Sequence, residues 1–307
     1  MLFLFQMTGN AKITETAHNL PGAGGRVHEE EWTTVIRPRH PWFHLELSEL
    51  WRYRDLVRLS VRRDFVAQYK QTILGPLWFF LQPLFTTLVF TLVFGRIAKI
   101  PTDGIPDFLF YLSGTVCWAY FSACLVETSD TFVKHAGVMG KVYFPRLVVP
   151  LALVISNILK FLIQFCLFLA FLFYYYFQGA AIASNWWILT LPLLILQMGC
   201  LGLGCGIIIS SLTTKYRDLS MLVNFGVQLW MFATPVVYPL SQIPEAYRGI
   251  FLLNPMTAVV EGFRLAFLGA SSVTLPDVVL SVSVTLILLF FGLVLFTRIE
   301  KTFMDTI

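Results

Sequence analysis

Long apolar stretches separated by short polar breaks dominate the chain, and their lengths predict helices that cross a lipid bilayer. A crossing helix needs about 20 apolar residues to traverse a hydrocarbon core about 30 Å thick. Six stretches meet that requirement, at about 76–95, 108–126, 147–176, 186–211, 219–238 and 278–297. Between Arg146 and Lys215 the only charged side chain is Lys160, and the polar break Gln178–Asn185 divides that run into two spans. The stretch 239–276 is different. Pro239, Pro244, Pro255 and Pro276 cut it into pieces too short to cross, with Glu245, Arg248, Glu261 and Arg264 interspersed, which predicts re-entrant helices on the outer face.

Ahead of the first span, residues 43–75 predict an amphipathic helix lying on the membrane surface. Leu50, Val57, Val61 and Phe65 recur at helical spacing, while Arg52, Arg54, Arg58, Arg62, Arg63 and Lys70 supply charge suited to anionic lipid. Residues 1–42 are polar and rich in Gly and Pro, the composition of a disordered tail. The apolar opening Met1–Gln6 is too short for a signal-peptide core, so the first span is expected to act as an uncleaved insertion signal, with Met1 or Met7 as the start. The expected fold class is therefore an all-α integral membrane protein of six transmembrane helices (residues 76–298), with the amino-terminal interfacial helix, re-entrant helices at about 240–270, and a cytoplasmic tail at 299–307.

Composition agrees with this pattern. Apolar residues make up 57% and charged residues 13%, about half the share of a soluble domain, so lipid must cover much of the surface. With an amino terminus in the cytoplasm, seventeen Lys and Arg fall on inside segments and four on outside segments, which predicts both termini on the cytoplasmic side of the membrane. The basic clusters adjoin apolar spans, so nucleic acid is not the expected partner. Five scattered cysteines lack zinc-site spacing, and His40 and His44 flank Pro41, so no metal site is expected.

Several residues carry candidate chemistry. Lys160, a charge within a span, should pair with an acidic group or serve substrate passage. Gln82, Asn224 and Gln228 are polar groups inside spans, and Asn224 and Gln228 share one helix face; they belong at a helix interface or in a wet channel. Trp78, Phe85, Trp118, Tyr120, Trp230 and Tyr238 are aromatic candidates for the wall of a channel; as interface anchors or packing they would look the same. Gly202 and Gly206, with Gly199 and Gly204 nearby, suit close helix packing. Gly137-Val-Met-Gly140-Lys141 is too short for a Walker A loop, and Val142 stands where the magnesium-binding hydroxyl would be. No cofactor is therefore expected in this chain.

Three segments carry a resemblance. The first holds Arg63-Asp64-Phe65, Tyr69-Lys70-Gln71-Thr72-Ile73-Leu74-Gly75 and Leu81-Gln82-Pro83; the second is Lys141-Val142-Tyr143-Phe144-Pro145-Arg146. The third runs from Lys215-Tyr216-Arg217-Asp218 through Thr234-Pro235-Val236-Val237-Tyr238-Pro239 to Asn254-Pro255-Met256 and Glu261-Gly262-Phe263-Arg264. Together, over about 45–307, they resemble the membrane (permease) subunits of bacterial polysaccharide ABC exporters, type-2 ABC transporters that export O-antigen, capsule or teichoic acid chains. The resemblance implies a homodimer enclosing a channel for a lipid-linked glycan, worked by two copies of a separate ATPase that binds ATP and Mg. It implies that the surface helix and the loop between the second and third spans meet the ATPase, making Arg58, Arg62, Arg63, Lys134, His135 and Lys141 coupling candidates. It also implies that the outer helices help gate the exit, with Asn254, Pro255, Glu261 and Arg264 as gate candidates. A type-2 exporter of a drug or small lipid shares the topology. A membrane-embedded glycosyl- or acyltransferase would need polar groups converging at one membrane face, and an ion-coupled flippase would rest on Lys160 alone.

Overall fold

A computed structural model describes residues 51–69, 75–131, 134, 144–180, 182, 185–213 and 218–302. The tail 1–42, both ends of the predicted surface helix (43–50 and 70–74), His135, Lys141, Lys215, Arg217 and the terminal 303–307 lie outside the described residues. The elements are α1 (Arg54–Tyr69), α2 (Trp78–Phe90, continued by a π-helix over Thr91–Ile97), α3 (Asp107–Ser129), α4 (Val148–Phe177), α5 (Leu191–Thr213, entered through a 3₁₀ turn at Trp186–Thr190), α6 (Leu219–Phe232), α7 (Glu245–Leu252), α8 (Pro255–Leu268) and α9 (Leu275–Thr302).

The protein is an all-α membrane protein. Five helices are long and apolar enough to cross: Trp78–Ile97, Asp107–Ser129, Val148–Phe177, Trp186–Thr213 and Leu275–Thr297. The fifth expected span, 219–238, is shorter than its apolar run. Helix α6 stops at Phe232 after 14 residues, about 21 Å at 1.5 Å per residue. Pro235 is the cause: it lacks an N–H and disfavours helical geometry at the residue before it, so the chain turns at Thr234–Val236. Beyond it, α7 and α8 form a pair bent by 100°. The break is encoded locally. The Asn254 side chain caps the Met256 N–H (3.2 Å) and Pro255 takes the first helical position, while Gly269 ends α8 in a left-handed turn (φ 75°).

Helix α3 is the centre, with 17 of its 23 residues buried. Small residues bring α5 against it. A Cβ on Gly202 would lie 2.6 Å from Cys124 Cβ, and one on Gly206 would lie 2.5 Å from Thr128 Cβ. Gly204, on the other side of α5, meets the α9 backbone at Leu289. Phe165 and Phe168 of α4 interlock with Phe263 and Phe267 of α8, at ring centroid separations of 5.1–6.1 Å. Helix α1 turns Val57, with Tyr53, Leu56 and Val61 beside it, onto Val148, Ala152, Ile207 and Phe296. Of the face predicted to be apolar, Val57 is buried and Val61 half-buried, both against protein, while Leu50 and the Phe65 side chain lie outside the described residues. Arg52, Arg54, Arg58, Arg62 and Arg63 remain exposed.

Candidate functional site: a polar cavity among the spans

A cavity of about 600 Å³ is bounded by α2, α3, α4 and α6. It gathers Gln82, Trp118, Tyr120, Lys160, Asn224 and Gln228, six residues that lie far apart in sequence. Helical spacing explains the meeting: Asn224 and Gln228 are one turn apart on α6, facing Gln82 of α2 from across the opening, and all three are exposed in the single chain. Polar amides at such positions are costly against hydrocarbon, so this side of the bundle faces water or protein.

Lys160 ends the deep side. Its Nζ lies 2.7 Å from Glu127 Oε1, and Asn157 Nδ2 donates to Glu127 Oε2 at 2.8 Å, so α3 and α4 are joined by a carboxylate with both oxygens occupied. Trp118 and Tyr120 contribute to the wall but are nearly buried. Trp118 packs edge-on to Phe121 and Trp230, and Tyr120 rests on Phe161 with its hydroxyl beside Gly199. Trp230 touches the cavity only through that stack. Trp78 and Phe85 do not join it: both point outward from α2, at 52% and 57% exposure. Tyr238 belongs to a second hollow of about 440 Å³ at the far end, with Pro101, Pro244, Tyr247 and Phe251. Its hydroxyl donates to the Phe232 carbonyl (2.7 Å), and burial pushes its pKa up to about 12.

At the end of the bundle nearest α1, Asp130 is a junction. Ser220 of α6 donates to its Oδ1 (2.9 Å), Lys134 pairs with its Oδ2 (2.9 Å), and Thr213 of α5 donates to the neighbouring Ser129 carbonyl (3.0 Å). Of the other coupling candidates, Arg58 pairs with Asp55 and Arg63 with Asp64, both at the surface, and Arg62 is exposed.

At the opposite end Arg264 is 1% exposed and fully engaged. Its guanidinium donates to Glu261 Oε1 (3.0 Å), the Pro235 carbonyl (2.7 Å), the Val236 carbonyl (2.8 Å) and Ser113 Oγ (3.3 Å), and it lies 3.6 Å over the Phe110 ring. Ser271 Oγ donates to the second Glu261 oxygen (3.1 Å). Asn254 Nδ2 donates to Thr234 Oγ1 (2.8 Å), and Pro255 is buried. Asn254 and Arg264 thus hold α8 to the turn after α6, and Arg264 also to α3, while Glu261 joins Arg264 to Ser271 and the Pro255 carbonyl accepts from Ser281 of α9 (2.7 Å). Glu127, Asn157 and Asp130 are the residues that a reading of candidate chemistry did not single out. The signal available was a polar row, Asn157, Lys160 and Gln164, at helical spacing in an otherwise apolar span.

A bundle of apolar helices around a polar, aromatic-walled hollow is the build of a membrane transport protein. Residues 55–268 match the ABC-2 type transporter model, and the chain belongs to that family. It is 31% identical over 226 residues to the O-antigen export system permease protein RfbA of Myxococcus xanthus, covering 72% of this chain and 83% of the relative. The RfbA protein of Klebsiella pneumoniae is 28% identical over 215 residues (70% and 80%). The polysialic acid transport protein KpsM of Escherichia coli is 24% identical over 251 residues (80% and 93%).

Proposed function

We propose that this chain is the permease subunit of an ATP-driven exporter that carries lipid-linked polysaccharide, O-antigen or a similar surface glycan, across the bacterial cytoplasmic membrane. The observation that carries the reading is the match over most of the chain to O-antigen export permeases, in a protein whose spans surround a hollow of amides and aromatics. A glycan is too polar to cross hydrocarbon unaided, and such a hollow substitutes protein groups for its water. Two copies form the channel, and the exposed amides of α2 and α6 face it. Two separate ATPase subunits bind ATP and Mg and press on the arginine face of α1 and the loop containing Lys134. Nucleotide states must favour different arrangements of the spans for work to be transmitted. Both termini lie in the cytoplasm, as the distribution of Lys and Arg supports.

Deleting the gene tests this. Surface polysaccharide should disappear while its lipid-linked precursor accumulates inside, and the intact gene should restore export. Normal surface polysaccharide in the deletion strain would end the proposal.

A further inference from the structure

The deep wall of the cavity carries a feature that neither the family nor the aromatic candidates account for. Asn157, Lys160 and Gln164 stand at positions i, i+3 and i+7 of α4, a single face, and all three line the cavity. Their hydrogen bonding is incomplete in a consistent way. A carboxylate only accepts, so the Asn157 amide must turn its nitrogen to Glu127, which fixes Oδ1 on the other side. That oxygen is buried, in a residue only 1% exposed, and accepts no hydrogen bond among the described residues. Such an atom is costly to bury unless something donates to it. Lys160 spends one proton on Glu127 and has two more to give. Gln164 is nearly buried and brings both a donor and an acceptor.

Charge decides the class of ligand. Lys160 is the only charged side chain among the residues lining the cavity, and Glu127 already neutralises it at 2.7 Å. A phosphate would either displace Glu127 from Lys160 or bring its own negative charge beside a lysine already neutralised, with no second cation among the lining residues, and both are costly. A neutral hydroxyl needs no such displacement. It donates to Asn157 Oδ1 and accepts from Lys160 or Gln164, so an ordered row of hydroxyls satisfies every open position.

We propose that Asn157, Lys160 and Gln164 form a binding site for a neutral, hydroxyl-rich segment, a run of uncharged sugar units, in the wall of the cavity. The site rests on the polysaccharide-export reading and specifies which part of the cargo it holds: the glycan rather than the phosphate-bearing lipid end.

The test places the photo-cross-linker p-benzoylphenylalanine at Gln164 in the full chain, in cells exporting their own polysaccharide. After irradiation and denaturing purification, the chain should carry polysaccharide detected by serum against it, and the same cross-linker at Phe290, exposed on α9, should carry none. In membrane vesicles, neutral oligosaccharide released from that polysaccharide should suppress the adduct, and inorganic pyrophosphate at equal concentration should not. Asn157→Ala and Gln164→Leu should each slow export of pulse-labelled polysaccharide by about tenfold, the worth of one hydrogen bond. Gln164→Leu breaks no hydrogen bond among the described residues, so its melting temperature should stay unchanged. Normal export with no adduct at Gln164, competition by pyrophosphate, or full-rate export by both variants overturns the site. If the chain supports no polysaccharide export at all, the failure is that of the functional reading instead.

Discussion

Replacing Arg264 by Met removes a cation that is 1% exposed and serves five acceptors, the Phe110 carbonyl (3.5 Å) included, on three segments of the chain. The methionine fills part of the volume but donates nothing. Glu261 keeps only Ser271, and the Pro235 and Val236 carbonyls lose their guanidinium donors in a turn packed beneath α3. Removing one partner of a buried pair costs about 3–5 kcal/mol, because the charge left behind has lost both water and partner. In a protein of this size that corresponds to a fall in melting temperature on the order of 10 °C. Glu261→Gln in the same background removes the stranded charge and should recover about 1–3 kcal/mol, since the amide demands less of its surroundings. The assay is thermal unfolding of detergent-solubilised wild type, both single variants and the double variant, followed by fluorescence-detected gel filtration. A double variant no more stable than Arg264→Met alone would refute the assignment of the loss to an unpaired carboxylate.

Gly206→Leu must push α5 from α3, since even a Cβ would sit 2.5 Å from Thr128 Cβ; a loss of about 1–3 kcal/mol is expected by the same unfolding assay. Gly249→Ala, on α7 with open space around it, should be neutral or stabilising by up to about 1 kcal/mol. Asp130→Ala releases both Ser220 and Lys134, and polysaccharide export per ATP hydrolysed should fall severalfold while the chain still reaches the membrane; unchanged coupling would show that the junction transmits nothing. Tyr238 has a folded pKa raised from 10.0 to about 12, so the folded state holds its proton where the unfolded state releases it. Its contribution to stability is complete below pH 10 and is lost as pH rises toward 12, and Tyr238→Phe should remove that part of the alkaline decline.

Much of the bundle is legible in one dimension, because a lipid-facing helix announces itself by length and apolarity. Five spans end within a few residues of where their flanking charges and polar breaks put them. The run at 219–238 misleads for a definite reason: hydropathy does not register that Pro235 breaks the backbone pattern, and the apolar residues beyond Phe232 continue as a buried turn. Gln82, Asn224 and Gln228 advertise their shared cavity because an amide in an apolar run has few comfortable places to go. Lys160 announces that a counter-charge exists. It does not say which, since Glu127 lies 33 residues away on another helix and only packing brings them together. Arg264 reads as a gate candidate through its place in a motif; its role as a fully buried pin depends on carbonyls, which sequence does not display.

The short helix α6 is held in an unusual way. Its start is fastened through Ser220 to Asp130, and the turn beyond its end is fastened through Thr234 and the Pro235 and Val236 carbonyls to Asn254 and Arg264. Between those anchorages only Val227 is buried. In the single chain it is therefore a plank resting on two trestles, steadied between them by Val227 and by Trp230 against Trp118 and Phe121, with its other face open. Whatever leans on that open face bears on both supports at once.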